Sequence, residues 1–114
     1  MDGTDYQYQV VEELYPTKYA FYSIYDNKNK LIDPRLISFE GTFRIIDVYN
    51  ADENGNQSIY TSKKLYNPTY GELLMAVDDL IEFTGDTDHH FLESAMPTYQ
   101  IDNDGTYGIE VYLG

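Results

Sequence analysis

The stretch NPTYGELLMAVDDLIEFTG, residues 67–85, decides the fold class because it predicts an amphipathic helix over about residues 69–83. Its apolar residues recur at helical spacing and form one stripe: Tyr70, Leu73, Leu74, Val77, Leu80 and Ile81. Thr69 and Glu72 have the spacing of a capping box, which predicts the start of the helix. Gly85 can adopt the left-handed conformation that ends a helix. These signals agree, so we predict a helix whose stripe faces a core.

Strand patterns lie on both sides of this helix. Residues 42–49 and 57–62 flank the polar run NADENGN, which predicts a hairpin with a glycine-bearing loop. Residues 98–102 and 107–113 flank an Asn-Asp-Gly turn, and Asp-Gly is a strong hairpin signal. Residues 19–25, YAFYSIY, are aromatic or apolar at nearly every position, as expected for a central strand.

We therefore predict an α+β fold with one domain, residues 1–114. It consists of a mainly antiparallel sheet of about five or six strands with one principal helix, about residues 69–83, packed on it. The expected core is Tyr70, Leu73, Leu74, Val77, Leu80, Ile81, Phe21, Ile45, Phe91, Ile109 and Val111. No apolar run approaches the roughly 20 residues that span a bilayer, and the N-terminus does not resemble a signal peptide. We expect a cytoplasmic protein, located in the host cytoplasm if the chain is viral.

Charge is distributed unevenly along the sequence. The chain has 20 acidic and 7 basic residues, a formal net charge of −13, and no cysteine. Residues 1–64 contain ten acids and all seven Lys and Arg, whereas residues 65–114 contain ten acids and no Lys or Arg. Such a surface repels phosphate, so we expect neither direct nucleic-acid binding nor binding to an anionic membrane. It attracts a basic protein surface, although acidity can also serve solubility alone.

Both histidines lie in GDTDHHFLES, residues 85–94, beside three carboxylates. The candidates for a metal or catalytic site are Asp86, Asp88, His89, His90 and Glu93. If residues 89–93 form a strand, His89 and His90 point to opposite faces, and only one of them can join a loop carboxylate around an ion. A zinc site needs at least three protein ligands. We therefore predict a helix end followed by a strand, with no cofactor, no metal and no catalytic residue.

A proline-led helix, a Gly-Asp stop and a His-His-aromatic strand occur together in this sequence. The pieces are Pro68-Thr69, Leu73-Leu74, Gly85-Asp86, His89-His90-Phe91-Leu92-Glu93 and the final Leu113-Gly114. This combination, over about residues 67–93 and the C-terminal Leu-Gly, resembles uncharacterised small acidic proteins of tailed phages, including cyanophages. The resemblance implies a phage origin and no assigned activity or catalytic residues.

Three functions fit these observations. The one we favour is a non-enzymatic, phage-encoded protein that binds a basic or nucleic-acid-binding host protein, as an inhibitor or nucleic-acid mimic. Its acidic face would be Glu72, Asp78, Asp79, Glu82, Asp86 and Asp88. The second is an interaction module, virion accessory component or homodimer that uses a sheet edge and exposed tyrosines such as Tyr6, Tyr8, Tyr22 and Tyr60. The third is a metal-dependent enzyme centred on the candidates within residues 86–93.

Overall fold

The computed structural model describes residues 3–86 and 88–114. Its elements, in chain order, are α1 (Gly3–Leu14), β1 (Phe21–Tyr22), β2 (Thr42–Asn50), β3 (Gln57–Thr61), β4 (Leu65–Tyr66), α2 (Tyr70–Thr84), β5 (Phe91–Gln100) and β6 (Tyr107–Leu113). Neither helix in this part of the chain is long and apolar enough to cross a membrane.

Helix α2 begins and ends where its sequence signals lie. The Thr69 hydroxyl accepts the backbone N–H of Glu72 at 3.1 Å, and the Glu72 carboxylate accepts the backbone N–H of Thr69 at 3.1 Å. Both bonds of the capping box are therefore formed. At the other end Gly85 has φ 71° and donates its N–H to the Ile81 carbonyl. The helix prediction is confirmed, with each end displaced by one residue.

The six strands form one mixed sheet in the order β1-β5-β6-β2-β3, with β4 beside β2. Both predicted hairpins are present as antiparallel pairs, β2 with β3 and β5 with β6. β1 pairs with β5 in parallel, and β2 pairs with β6 in parallel. Each parallel pair joins strands far apart in sequence with α2 between them, since parallel pairing requires a long crossover. The α+β class is confirmed, and the sheet is mixed rather than strictly antiparallel, with three antiparallel and two parallel pairs among the described residues.

The core lies between α2 and one face of the sheet. Leu73, Leu74 and Val77 of the helix stripe are fully buried in one cluster with Ile45 and Ile109 of the sheet. Burial of each of these side chains contributes about 1.5–3 kcal/mol to the free energy of folding. The two half-buried members of the predicted core pack against the same cluster: Tyr70 and Val111.

The predicted central strand, residues 19–25, is instead the short edge strand β1. Tyr22 is buried, whereas Phe21 is 56% exposed. The parallel register places Phe21 beside Phe91, which is 49% exposed, and the two ring centroids are 5.3 Å apart. The core predictions for Phe21 and Phe91 are therefore wrong. Successive side chains of a strand point to opposite faces of the sheet, so burying Tyr22 turns Phe21 toward solvent. The Phe21 ring stacks there on the exposed ring of Phe91.

Helix α1 has no counterpart in the sequence prediction, which contained one principal helix. From Tyr6 to Val10 the sequence alternates apolar residues with glutamine at the period of a strand, which conceals the helix. Val10 and Val11 are buried and attach α1 to the rest of the fold. Just beyond α1, the Tyr15 ring lies so close to Gly71 of α2 that a Cβ there would overlap it. Tertiary packing therefore stabilises a helix that the local pattern does not indicate.

Candidate functional site

The chain passes from α2 into β5 through a corner that contains both histidines. The Asp86 carboxylate accepts the backbone N–H of Asp88 at 2.9 Å and lies 3.1 Å from His89 Nδ1. The Asp88 N–H, and after it the His89 ring, hold the pKa of Asp86 below its usual value. Such a turn, closed by an aspartate, is a common way to redirect the backbone. The corner brings the side chains of Asp86 and His89 together, whereas Asp88 takes part through its backbone N–H. Thr87 lies outside the described residues.

The other two candidates have different surroundings. Strand β5 begins at Phe91, two residues later than predicted, so both histidines precede it. The His90 ring stands edge-on to Phe21 with centroids 6.4 Å apart, and its Nδ1 has no hydrogen-bond partner among the described residues. Glu93 lies against Gly114. Within residues 3–86 and 88–114, no three or more His, Asp or Glu side chains are grouped so that they could hold a metal ion.

Besides Asp86, two of the six acidic-face residues, Glu72 and Asp78, bind the backbone of the chain itself. Glu72 completes the capping box of α2. Asp78 accepts the N–H groups of Lys18 at 3.1 Å, Tyr19 at 2.6 Å and Ala20 at 2.9 Å. These bonds tie the segment between α1 and β1 to α2 across as many as 60 positions of sequence. Both carboxylates therefore have structural roles; the sequence predicted the capping role of Glu72 but not the role of Asp78.

The other four carboxylates form what we call the acidic stripe: Asp79, Glu82, Asp86 and Asp88. They lie on the C-terminal half of α2 and on the turn that follows it. Burial raises the pKa of Asp47, and the charge of Asp86 adds to that effect. Burial likewise raises the pKa of Tyr60, with a further contribution from Asp79. Among the described residues, the ion pairs of Lys and Arg lie elsewhere: Arg35–Asp33, Arg44–Asp102 and Lys64–Asp104.

The sheet face turned away from α2 has an open groove of about 720 Å³, which the sequence analysis did not predict. Val48, Ile59 and Tyr99 in this groove are 59%, 67% and 66% exposed. Arg44 and Asp102 form an ion pair of 3.3 Å at the same groove. The remaining lining side chains include Ile46, Glu110 and Tyr112. The sequence of β2 does indicate a second apolar face, because Phe43 and Ile45 alternate with Ile46 and Val48 on the opposite face. A strand that packs against a single core needs only one apolar face.

The four tyrosines singled out from the sequence do not share one surface. Tyr22 is buried in the core, and Tyr60 is half-buried. Tyr6 and Tyr8 lie on α1, where the Tyr8 hydroxyl is 2.9 Å from that of Tyr25. This hydrogen bond is the main reason that the pKa of Tyr8 is raised to about 12. Tyr99 and Tyr112 are exposed tyrosines that lie together in the groove.

Known proteins add no family to this description. No protein-family model matches the chain, and comparison with curated proteins and with solved structures found no similar protein. The geometry and charge of the acidic stripe and of the groove therefore carry the functional argument.

Proposed function

We propose that this chain is a non-enzymatic binding protein that engages a basic surface of its partner through the acidic stripe. The supporting observation is the position of the ion pairs. The ion-paired Lys and Arg among the described residues contact carboxylates elsewhere, whereas Asp79 and Glu82 stay exposed and have no such partner in that part of the chain. A basic partner supplies the missing cations without breaking an internal ion pair.

Nucleic-acid-binding proteins are the partner class that fits this chemistry. Their grooves contain Lys and Arg that neutralise phosphates, which DNA presents at about one charge per 1.7 Å of axis. Asp79 and Glu82 are about 4.5 Å apart along the axis of α2, because a helix rises about 1.5 Å per residue. This spacing is of the same order as the spacing of charges along DNA. The resemblance to tailed-phage proteins makes the partner, in this proposal, a host factor that the protein inhibits in the host cytoplasm by mimicking nucleic acid.

The test is retention of proteins from a candidate host lysate on the immobilised chain, followed by mass spectrometry. We expect nucleic-acid-binding proteins to be retained at about 0.1 M salt and released at about 1 M, where the Debye length falls to about 3 Å. The double variant Asp79→Asn/Glu82→Gln should lower retention by about tenfold, because charge steering is lost. The matched control Glu12→Gln/Glu13→Gln removes the same charge from exposed positions of α1. Equal losses in both variants, or retention that survives high salt, would contradict the proposal.

A second candidate function is an interaction module that binds through the groove of the outer sheet face. The observation that favours it is the exposure of apolar side chains there, Tyr99 at 66% and Val48 at 59%. A groove of about 720 Å³ is within the range that binding sites occupy. A partner bound in this way stays bound at high salt, and Tyr99→Ser weakens its retention while Asp79→Asn/Glu82→Gln does not. Retention that Tyr99→Ser leaves unchanged would argue against the groove.

A further inference from the structure

Strand β3 presents a free edge to solvent. Among the described residues it pairs only with β2. Ser62 donates its N–H to the Ile45 carbonyl at 2.9 Å, and Ala51 donates its N–H to the Asn56 carbonyl at 2.8 Å. In an antiparallel ladder alternate residues bond the same neighbour. The even-numbered residues therefore face β2, and the backbone groups of Gln57, Ile59 and Thr61 point to the free edge.

The edge of β3 lacks the features that usually prevent strand addition. Its five residues, QSIYT, include no charge and no proline. Its register with β2 runs from Gln57 to Thr61 without a bulge. The opposite edge of the sheet, β1, is only two residues long. A regular, uncharged edge is a template for another strand, whereas short, charged or bulged edges are not.

The charges that flank β3 indicate which strand fits. Asp52 and Glu53 precede it, and Lys63 and Lys64 follow it. In an antiparallel arrangement centred on Ile59, the acidic loop of one copy faces the lysines of a second copy. A parallel arrangement would instead place like charges together. Glu53 and Lys63 are exposed and take part in no ion pair among the described residues. The edge is thus self-complementary in one orientation, although the whole chain has a net charge of −13.

We propose that β3 pairs antiparallel with β3 of a second copy of this chain, so that the two sheets become one across a twofold axis. Gln57 then faces Thr61 of the other copy, and the two Ile59 residues face each other. Three facing pairs exchange about six backbone hydrogen bonds, two for each pair. The interface uses the same residues on both copies, as a twofold dimer requires.

The side chains of the outer sheet face add to this pairing. Ile59 is the cross-strand neighbour of Val48, and the two are 67% and 59% exposed. Pairing at β3 brings both residues of each copy into one apolar row across four strands, which shields them from water. The acidic stripe lies on α2, on the other side of the sheet. Dimerisation therefore leaves it accessible, and the dimer does not depend on the proposed function.

Sedimentation equilibrium over a concentration series up to about 1 mM tests the dimer. We expect the average molecular mass to rise from that of a monomer toward that of a dimer as the concentration increases. Ile59→Lys should raise the dimer dissociation constant at least about tenfold, because two lysines then face each other. The matched control is Met96→Lys, at an exposed position of the different strand β5, which should leave the constant unchanged. Far-UV circular dichroism confirms that each variant is folded. A monomer at every concentration, or a dimer insensitive to Ile59→Lys, would overturn the proposal.

Charge exchange tests the orientation. Glu53→Lys and Lys63→Glu should each weaken self-association, because each places like charges opposite one another. A mixture of the two variants should restore dimers, since both contacts then join opposite charges. Hydrogen exchange gives a residue-level check: the amides of Gln57, Ile59 and Thr61 should gain protection as concentration rises, while that of Tyr60 is protected already in the monomer. Failure of the mixture to associate, or protection that does not follow this alternation, would refute the antiparallel register.

Discussion

The carboxylate of Asp78 holds the segment between α1 and β1 against α2, and its removal should destabilise the fold. The variant Asp78→Ala loses the acceptor for the N–H groups of Lys18, Tyr19 and Ala20, which lie 2.6 to 3.1 Å from its oxygens. Ala20 is 3% exposed, so water reaches its N–H poorly once the carboxylate is gone. Lys18 and Tyr19 are exposed, and their N–H groups can turn to water instead.

The expected loss follows from this difference in exposure. A hydrogen bond to a charged group contributes about 1.5–3 kcal/mol net, and a buried donor left without a partner costs about 1–3 kcal/mol. The N–H groups of Lys18 and Tyr19 exchange the carboxylate for water as their acceptor, so they add little to the loss of stability. We therefore expect Asp78→Ala to lower the free energy of unfolding by about 2–4 kcal/mol. Asp78→Asn keeps one carbonyl acceptor and should lose about half as much.

Urea denaturation followed by far-UV circular dichroism measures this loss. An m value of about 1–3 kcal/mol/M converts it into a midpoint shift of roughly 1–3 M. Asp79→Ala is the matched control, because the adjacent residue of the same helix loses the same charge but no hydrogen bond. Its free energy of unfolding should change by no more than about 0.5 kcal/mol. If the two variants unfold at the same urea concentration, Asp78 does not hold the segment and the reasoning is refuted.

Three further predictions concern other contacts of the fold. Gly71→Ala should lower the free energy of unfolding by about 1–3 kcal/mol, because the added Cβ overlaps the Tyr15 ring. In a background that already contains Tyr15→Ala, thermal unfolding should show no such loss from Gly71→Ala. Lys64 is the main reason that the pKa of Asp104 is lowered to about 2, so this carboxylate contributes stability above its usual pKa of 3.8 and loses it as the pH falls toward 2. Urea midpoints measured against pH should therefore fall less steeply in this range for Asp104→Asn. Burial raises the pKa of Tyr22 above its usual value of 10.0, so its contribution is present below pH 10.0 and is lost as the pH rises further. Tyr22→Phe should flatten this alkaline loss in the same assay.

Each of these has a result that contradicts it. Loss of stability from Gly71→Ala that persists with Tyr15→Ala would show that ring overlap is not the cause. An unchanged acid slope for Asp104→Asn would mean that the contact with Lys64 does not couple protonation to folding. A Tyr22→Phe chain that loses stability above pH 10.0 as steeply as the parent would assign the alkaline loss to other tyrosines.

The sequence alone determined those features that are made by residues close together along the chain. Thr69 and Glu72 are three positions apart, and their capping box begins α2 as predicted. Gly85 ends the same helix through its own backbone angle. The turns of both hairpins likewise lie within a few residues, so their strands could be paired from the pattern. The α+β class followed from these local elements.

The candidate site was only partly predictable for the same reason. The sequence grouped Asp79 and Glu82 correctly on the exposed side of α2, because helical period alone places them there. It could not separate Asp78 from them, since the backbone that Asp78 binds is as many as 60 residues away. Nor could it show the groove, whose walls come from four strands.

Only the tertiary structure decided the order of the strands, the parallel pairing of β1 with β5, and the existence of α1. The exposed stacking of Phe21 on Phe91 and the free edge at β3 belong to the same group. Each depends on which distant segments the burial of the core brings together. Local hydrogen bonds and turn angles need only neighbouring residues, whereas exposure and strand order are properties of the assembled chain.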